Sequence, residues 1–294
     1  MNPDSVLVQK MSAFTDGDEG GNPAGIVITE RLPPKSTMQR IAAEVGASET
    51  VFAAPLGSAW RVRYFSPETE IPFCGHATIA LAAALGERHG LGDYDLTLNE
   101  ASIRVSVTAQ LPGLEASLNS PPTTSSIAPA SLVDSVLALF GYSRADLDHR
   151  LAPARAHAGA NHLIVFLSSR SALAAMSYNL DRGRMFMRAN DLVTIAFVYS
   201  ENSQFFHARN AFASGGVLED PATGAAAAAL AGYLRDSGWP HRGKIEITQG
   251  EDMGSRSRLR VELTDVRGSS VRVVGCARHL SGPEPYRALT ALTE

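Results

Sequence analysis

Two alanine-rich stretches of this sequence are each preceded by glycine and a polar residue. In IPFCGHATIALAAAL, residues 71–85, Gly75 and His76 mark the junction, and EDPATGAAAAALAGYL begins at Glu219. Each junction is typical of a helix start, where free backbone N–H groups carry about half a positive charge. Two such starts facing each other would bind a carboxylate or a developing enolate. The sequence therefore predicts one anion-binding site assembled from two helix starts.

Three polar side chains near these junctions could carry acid–base chemistry. His76 could donate a hydrogen bond or relay a proton, or it could only cap its helix. Asp220 precedes Pro221, a residue type favoured at the first helical position, so Asp220 is also a candidate N-cap. Glu49 lies beside apolar residues in GASETVFA, where desolvation would raise its pKa toward that of a general acid or base. An ordinary surface glutamate is the alternative.

Motif searches argue against a cofactor. The sequence has no GxGxxG, GxxxxGK[ST], GxSxG, HExxH or CxxC pattern. Its eight histidines are scattered, and none pairs with another histidine or a cysteine at ligand spacing. We therefore expect no bound cofactor and no metal site.

Charge and cysteine content argue against several other classes. Lys and Arg number 26 against 30 Asp and Glu, a net charge of −4 that favours neither nucleic acid nor an anionic membrane as partner. Residues 255–273 alternate basic and apolar types, which predicts a half-exposed strand pair. Two cysteines, Cys74 and Cys276, cannot form a disulfide framework, and no signal peptide or membrane span is evident. A cytoplasmic location is the default expectation.

The length of 294 residues fits two domains better than one. The stretch PPTTSSIAPASL, 121–132, is the most linker-like part of the chain. It sets the expected domains at 1–122 and 130–281, with the tail 282–294 as a candidate to pack back on the first.

Hydrophobic periodicity predicts the elements that position the junctions. The expected elements include strands at 6–14, 24–29 and 60–67, a helix at 36–46 with Ser36 as N-cap and Gly46 as its end, and a helix at 171–180. The alanine stretches match at an offset of 145 residues, and both halves repeat the order strand, glycine-containing turn, helix, which predicts a duplicated domain. Because small side chains let strands approach closely, each alanine helix should be central in its domain.

Taken together, the motifs GGNPAGIV, SETVFA, RVRYFSPETEIPFCGHATIALAAAL, EDPATGAAAAALAGYL and QGEDMG resemble the PhzF-like (phenazine-biosynthesis) isomerase family, from Asn22 to about Gly254. The resemblance implies an α+β fold of two similar domains, as in diaminopimelate epimerase. Each domain would be a strongly curved, mostly antiparallel, barrel-like sheet around its central alanine-rich helix. The site would lie in the cleft between the domains, and the protein would be a homodimer.

The resemblance also implies roles for individual residues. Glu49 stands where the family carries its proton-shuttling glutamate, while His76 and Asp220 match the histidine of GHxT and the aspartate of DPxTG. The residues expected to bind the substrate carboxylate lie at the two helix starts and are Gly75, Ala77, Thr223, Gly224 and Ala225. Two positions depart from the family pattern: Ala225 replaces a frequent serine, and Ser255-Arg256 replaces a frequent arginine-proline pair.

The leading hypothesis is a cofactor-independent isomerase that moves a proton between carbons of a small carboxylated metabolite. In the isomerase that names the family, the substrate is a dihydro-3-hydroxyanthranilate. One alternative is a non-catalytic protein that binds a small molecule on the same fold. Another is a racemase or epimerase that depends on Cys74, which falls where related two-cysteine enzymes carry one of their thiols; without a second thiol in DPATG, Cys74 is more simply a small buried residue beside the site.

Overall fold

The computed structural model describes residues 5–110 and 113–287. Two compact units emerge from the contacts within the chain: the first runs to Leu118 and resumes at Gly275, and the second runs from Asn119 to Val274. The return to the first unit therefore begins earlier than the expected 282. The tail lies outside the described residues from 288 onward.

The first half of the chain forms β1 (Ser5–Ala13), β2 (Asn22–Ile28), α1 (Lys35–Val45), β3 (Glu49–Leu56), β4 (Ala59–Phe65), β5 (Glu70–Ile71), α2 (Gly75–His89), β6 (Gly92–Thr97), β7 (Ser102–Gln110) and β8 (Gly113–Asn119). The second half forms β9 (Thr124–Ile127), α3 (Ala130–Phe140), β10 (Ala154–His157), β11 (Asn161–Leu167), α4 (Arg170–Ala174), α5 (Leu180–Ala189), β12 (Thr194–Ser200), β13 (Phe205–Ala211), β14 (Glu219–Asp220), α6 (Gly224–Asp236), β15 (Lys244–Gln249), β16 (Ser257–Glu262), β17 (Arg272–His279) and β18 (Glu284–Arg287).

The first unit is a mostly antiparallel sheet that surrounds α2. β1 pairs antiparallel with β2, and β2 runs parallel to β3. β3 is antiparallel to β4, which pairs with β5 and β6. β6, β7 and β8 form an antiparallel meander, and β18 pairs with β1. α1 covers the outer face through a core that contains Met38 and Ile41.

α2 is the central helix of this unit, as its composition predicts. It contacts β1, β2, β3 and β7, and it is buried from His76 to Gly86. Close approach depends on the small residues: a Cβ placed on Gly86 would lie 2.6 Å from a methyl carbon of Val107. The alanine face thus lets the sheet close around a single helix.

The second unit repeats this topology. β10 pairs antiparallel with β9 and β11, β11 runs parallel to β12, and β12 is antiparallel to β13. β13 pairs with β14 and β15, and the sheet continues through β16 to β17. α6 is the buried central helix and contacts β9, β10, β11 and β16. The outer face carries α3, α4 and α5. This α+β architecture confirms the expected pair of similar domains.

Strand register defines the repeat residue by residue. Tyr64 pairs with Ile71 on β5, and Asn210 pairs with Asp220 on β14. The helices that follow start at Gly75 and at Gly224, so the offset at the helix starts is 149 residues rather than 145. The sequence-based offset is wrong by about one helical turn because alanine runs match equally well after such a shift.

A bidentate ion pair occupies the same place in both units. Arg63 Nε and a terminal guanidinium nitrogen each lie 2.7 Å from an oxygen of Glu70. Arg209 contacts Glu219 in the same way, at 3.1 and 2.6 Å. Both pairs join the strand before the turn to the short strand before the central helix, which supports duplication independently of the alanine match.

Several local expectations need correction. Helix α1 has Pro34 as its N-cap, so Ser36 lies inside the helix, although Gly46 ends it in the left-handed conformation as expected. The helix expected at 171–180 stops at Ala174, and α5 follows it. The stretch read as a linker, 121–132, forms β9 and the first residues of α3.

The basic stretch behaves as predicted, because Arg258 and Arg260 of β16 alternate with buried residues. Among the described residues, no helix is long and apolar enough to cross a membrane.

Candidate active site

Glu49 and His76 form a buried pair in the first unit. Glu49 is the first residue of β3, and His76 is the second residue of α2. Oε2 of Glu49 lies 3.1 Å from Nε2 of His76, and only 14% of the Glu49 side chain is exposed. Oε2 has no aligned hydrogen bond within the described residues, and the contact is an ion pair when His76 is protonated. The pairing removes the alternatives of a helix-capping histidine and a surface glutamate.

Three neighbours fix the imidazole ring. The side-chain amide of Asn22 lies 3.2 Å from Nδ1, and Sγ of Cys74 lies 3.3 Å from the same atom. The hydroxyl of Ser48 lies 3.4 Å from Nε2. Sequence reasoning assigned no role to Asn22, although it is the asparagine of the GGNPAGIV motif. Ser48 is the residue before Glu49 in SETVFA.

The pair is ionised, and the expected pKa of Glu49 was wrong in direction. Burial raises the pKa of the Glu49 carboxyl, but the charge of His76 and contacts with His76, Ser48 and Cys74 outweigh it and lower that pKa. Burial lowers the pKa of His76, yet Cys74 and Glu49 together raise it well above its ordinary value. Burial raises the pKa of the Cys74 thiol. These shifts favour the carboxylate form of Glu49 beside the imidazolium form of His76.

The start of α2 is held by a hydroxyl chain inside the unit. Cys74 is the N-cap residue in extended conformation, and its side chain does not cap the helix. The hydroxyl of Thr78 donates to the carbonyl of Cys74 at 2.6 Å, and the hydroxyl of Tyr64 lies 2.7 Å from Thr78. Gly75 opens the helix ahead of Ala77, whose N–H contacts the Cys74 thiol. The hydroxyls of Thr78 and Tyr64 thus fix the backbone of this junction.

The second unit holds Asp220 in a different local role from the one expected. Asp220 lies in β14, and the N-cap of α6 is Thr223, so the N-cap assignment of Asp220 is wrong. Its carboxylate accepts a hydrogen bond from the hydroxyl of Thr223. The sheet pairing with Asn210 keeps Asp220 extended, and the chain needs three more residues to turn into the helix. Gly224 and Ala225 are the first two residues of that helix.

Gln249 connects the QGEDMG motif to this loop. Its amide nitrogen donates to the backbone carbonyl of Asp220 at 2.7 Å, and its amide oxygen accepts from the N–H of Thr223 at 3.3 Å. Gly250 adopts a φ of 73°, and a Cβ there would lie 2.8 Å from the carbonyl oxygen of Pro221. The motif signal was present in the sequence, but the partner of Gln249 was not readable from it.

Two groups of predicted residues are each brought together. Glu49 and His76 meet at the α2 start with Gly75 and Ala77 in the same turn. The other group comprises Asp220, Thr223, Gly224 and Ala225 at the start of α6.

The first group also contains a set of possible metal ligands. One ligand atom each from Glu49, Cys74 and His76 lie within 4.8 Å of one another. The expectation that no histidine pairs with a cysteine at ligand spacing is therefore wrong, because the turn into α2 brings residues 74 and 76 together.

Comparison with known proteins identifies the family of this chain. The family model described as "Phenazine biosynthesis-like protein" matches residues 11–282. An uncharacterized isomerase of Deinococcus radiodurans is 30% identical over 280 residues, which cover 91% of each chain.

Solved structures share the fold. The phenazine biosynthesis protein of the PhzF family from Bacillus anthracis superimposes with a TM-score of 0.85 at 23% identity, covering 96% of this chain and 99% of that one. A hydroxyproline epimerase from Agrobacterium vitis gives a TM-score of 0.62 at 11% identity, covering 98% and 93%. This chain belongs to the phenazine biosynthesis-like (PhzC-PhzF) family, and it is an isomerase.

Proposed function

We propose that this isomerase moves a proton between two carbon atoms of a small carboxylated metabolite, with Glu49 as the acid/base. The observation that carries the proposal is the buried ion pair of Glu49 and His76. A carboxylate kept ionised in a largely desolvated site is ready to accept a proton from carbon. Because the sequence lacks the common nucleotide-binding motifs, we propose a reaction that needs no cofactor.

In the proposed reaction, Glu49 removes a proton from a carbon next to a carbonyl or carboxyl group. The electron pair of the broken C–H bond moves into an enolate, which the free N–H groups at the start of α2 stabilise. Protonated Glu49 then delivers the proton to a second carbon, so substrate and product have the same composition. His76 stays protonated, orients the carboxyl group and favours its ionised form before each turnover.

We further propose that the starts of both central helices bind the substrate carboxylate in the inter-domain cleft that the family resemblance implies. Gly75 and Gly224 each open a central helix and leave its backbone approachable. Asp220 would orient a polar group of the substrate, and its position is fixed by Gln249. Ala225 offers no hydroxyl where many family members carry serine, so we expect a substrate other than dihydro-3-hydroxyanthranilate.

A racemase that depends on Cys74 has less support. Burial raises the pKa of its thiol, which disfavours the thiolate that a base would need. A two-thiol mechanism also needs a second cysteine at the matching position of the duplicate, and Thr223 is the N-cap residue there.

Proton NMR in D₂O tests the proposal. A panel of cyclic and amino-acid carboxylates is incubated with the wild type, with Glu49→Gln and with the control Glu44→Gln. Glu44 is exposed on α1 and pairs with Arg40. We expect deuterium to enter one compound with the wild type and the control, and exchange to fall by about 10²–10⁴-fold in Glu49→Gln.

Each contrary outcome has a distinct meaning. Full exchange by Glu49→Gln would remove Glu49 from the reaction. Exchange that is lost on thiol alkylation and protected by substrate would favour the Cys74 racemase. Ligand binding that Glu49→Ala leaves unchanged, with no exchange in any protein, would favour a binding protein.

A further inference from the structure

The loop that carries Asp220 is held from two sides by polar side chains of the second unit. On one side, the guanidinium of Arg209 binds the carboxylate of Glu219, the residue before Asp220, through contacts of 3.1 and 2.6 Å. This pair is nearly buried, with 12% and 7% of the two side chains exposed. On the other side, the side-chain amide of Gln249 donates to the carbonyl of Asp220 at 2.7 Å. The backbone position of Asp220 therefore depends on what fixes Arg209 and Gln249.

Arg170, the first residue of α4, fixes the turn that follows Gln249. One terminal nitrogen of its guanidinium lies 3.0 Å from a carboxylate oxygen of Glu251 and 2.9 Å from one of Asp252. Both acids belong to the short helical turn of QGEDMG, whose N-cap is Gly250. Charge-assisted hydrogen bonds are about twice as strong as neutral ones. Arg170 therefore holds both carboxylates of this turn against α4.

The same short helix contacts Arg209 at its other end. Nη1 of Arg209 donates to the backbone carbonyl of Ala174 at 2.8 Å and to that of Met176 at 3.1 Å. Its Nε also lies 3.9 Å from a carboxylate oxygen of Asp252. Arg170 begins α4 and Ala174 ends it. The contacts therefore close a ring that runs from the candidate-site loop through both arginines and α4 to the QGEDMG turn and back.

Close packing transmits the position of this turn to the start of α6. A Cβ placed on Gly250 would lie 2.8 Å from the carbonyl oxygen of Pro221. The amide oxygen of Gln249 accepts a hydrogen bond from the N–H of Thr223, the N-cap residue of α6. Because protein interiors have few voids, a displaced turn would shift these backbone groups rather than leave a gap. Arg170 thus acts on the helix start through the turn.

We propose that Arg170 and Arg209 are positioning residues that hold Asp220 and the start of α6 in the geometry that receives the substrate. The ring lies within the second unit, whereas Glu49 belongs to the first. Loss of the ring therefore weakens substrate binding and leaves proton transfer by Glu49 largely intact. The kinetic consequence rests on the proposed function of Asp220, whereas the ordering of the loop does not.

Hydrogen–deuterium exchange tests the ordering of the loop without a substrate. Wild type, Arg170→Gln and the matched control Arg144→Gln are compared by mass spectrometry of the peptide fragment 220–224. Arg144 contacts Asp134 in the same unit through two guanidinium nitrogens, with 58% and 57% of the two side chains exposed. We expect exchange in this fragment to be about 5–30-fold faster in Arg170→Gln, the range expected when a partly screened hydrogen bond to a charged group is lost. Exchange in the control, and in fragment 71–79 of the first unit, should match that of the wild type.

Two further variants keep the result interpretable if Arg170→Gln folds poorly. Asp252→Asn removes the charge on the other side of the same contact and should also accelerate exchange in fragment 220–224. Arg170→Lys keeps the positive charge and should restore part of the protection. Equal exchange in this fragment for wild type, Arg170→Gln and Asp252→Asn, or acceleration spread evenly over the whole second unit, would overturn the positioning role.

Steady-state kinetics measure the consequence for the substrate, with the panel carboxylate into which the wild type introduces deuterium. Arg170→Gln should raise KM by about 5–30-fold and leave kcat within about twofold, because the ring acts on binding groups rather than on Glu49. Arg170→Lys should recover part of the loss in KM, and Arg144→Gln should match the wild type. A fall in kcat with unchanged KM would refute substrate positioning. Absent exchange by the wild type with every compound would count against the proposed function, and the hydrogen-exchange result would still decide whether the arginines order the loop.

Discussion

Acidification should destabilise the second unit through one buried histidine. His162 on β11 is 1% exposed, and its Nδ1 lies 2.7 Å from the hydroxyl of Thr194. Its Nε2 has no hydrogen-bond partner in the part of the chain that the structure describes. Burial, and secondarily the nearby His157, lower the pKa of His162 to about 3. The folded unit therefore holds this imidazole neutral.

The sign and size of the effect follow from linkage. The pKa of His162 is lower in the folded state than its ordinary value of 6.5. The unfolded chain therefore binds the proton more readily, and the free energy of unfolding decreases as the pH is lowered. The contribution of neutral His162 to the free energy of unfolding is complete above pH 6.5, and it is lost as the pH falls from 6.5 to about 3. At about 1.4 kcal/mol per pH unit, the total is about 5 kcal/mol, of which about 3 is lost at pH 4.5. The free energy of unfolding of a typical domain is only about 5–15 kcal/mol in total.

Urea unfolding at pH 7.5 and pH 4.5 measures this loss. Trp60 lies in the first unit and Trp239 in the second, so fluorescence in a Trp60→Phe background reports on the second unit. Three proteins are compared: Trp60→Phe alone, Trp60→Phe with His162→Gln, and Trp60→Phe with His149→Gln as the control. His149 is an exposed histidine of the same unit. The His162 variant should lose about 3 kcal/mol less than the other two. Equal acid sensitivity in all three would refute the reasoning.

Three further predictions concern the site and its supports. In His76→Asn, burial acts on the pKa of Glu49 without the opposing charge, so the acid limb of the kcat/KM profile should move to higher pH; an unchanged limb would contradict the ion pair. Glu70→Gln should lower the free energy of unfolding by about 1–2 kcal/mol at pH 7 after allowance for solvent screening, as urea titration would record. Because the guanidinium of Arg63 lowers the pKa of Glu70 to about 2, this difference should be full above pH 4.5 and vanish below about 2. Gly250→Ala should cost about 1–3 kcal/mol, since φ is 73° and a carbonyl oxygen is in the way; an unchanged melting temperature would count against that contact.

Local sequence signals predicted the helix starts and the central helices. A glycine before a run of small residues is a local feature, and Gly75 and Gly224 both open helices. The domain repeat was also readable, but its register was not. Register depends on strand pairing, and only the pairing aligns Pro72 with Pro221 at an offset of 149 residues.

The contacts within the site were beyond local reasoning. Glu49 and His76 stand 27 positions apart, and the sheet wrapped around α2 brings them together. The same contact reverses the pKa shift expected from burial alone. Asn22 and Gln249 lie in motifs that sequence comparison marks, but their partners are set by tertiary structure.

The duplicated topology also indicates why the proposed acid/base belongs to one unit. Strand register places Thr194 where Glu49 stands, and the hydroxyl of Thr194 bonds to neutral His162. At the position of His76, the second helix carries Ala225. The second unit therefore has no ionised pair at this point, and its own helix start is organised by hydrogen bonds instead.

A second difference lies beneath the two helix starts. In the first unit the Tyr64 hydroxyl and Thr78 fill the space between sheet and helix at 2.7 Å. The counterparts, Asn210 and Ala227, are smaller and line a cavity of about 10 Å³, room for about one water. Neither polar atom of the Asn210 side chain has a hydrogen-bond partner among the residues that the structure describes. The first helix start is thus supported by a direct hydroxyl chain from Tyr64 through Thr78 to the carbonyl of Cys74. In the second, Gln249 holds the Asp220 loop through its side-chain amide. This difference between the two copies is the one expected if the first supplies the proposed acid/base and the second orients the substrate.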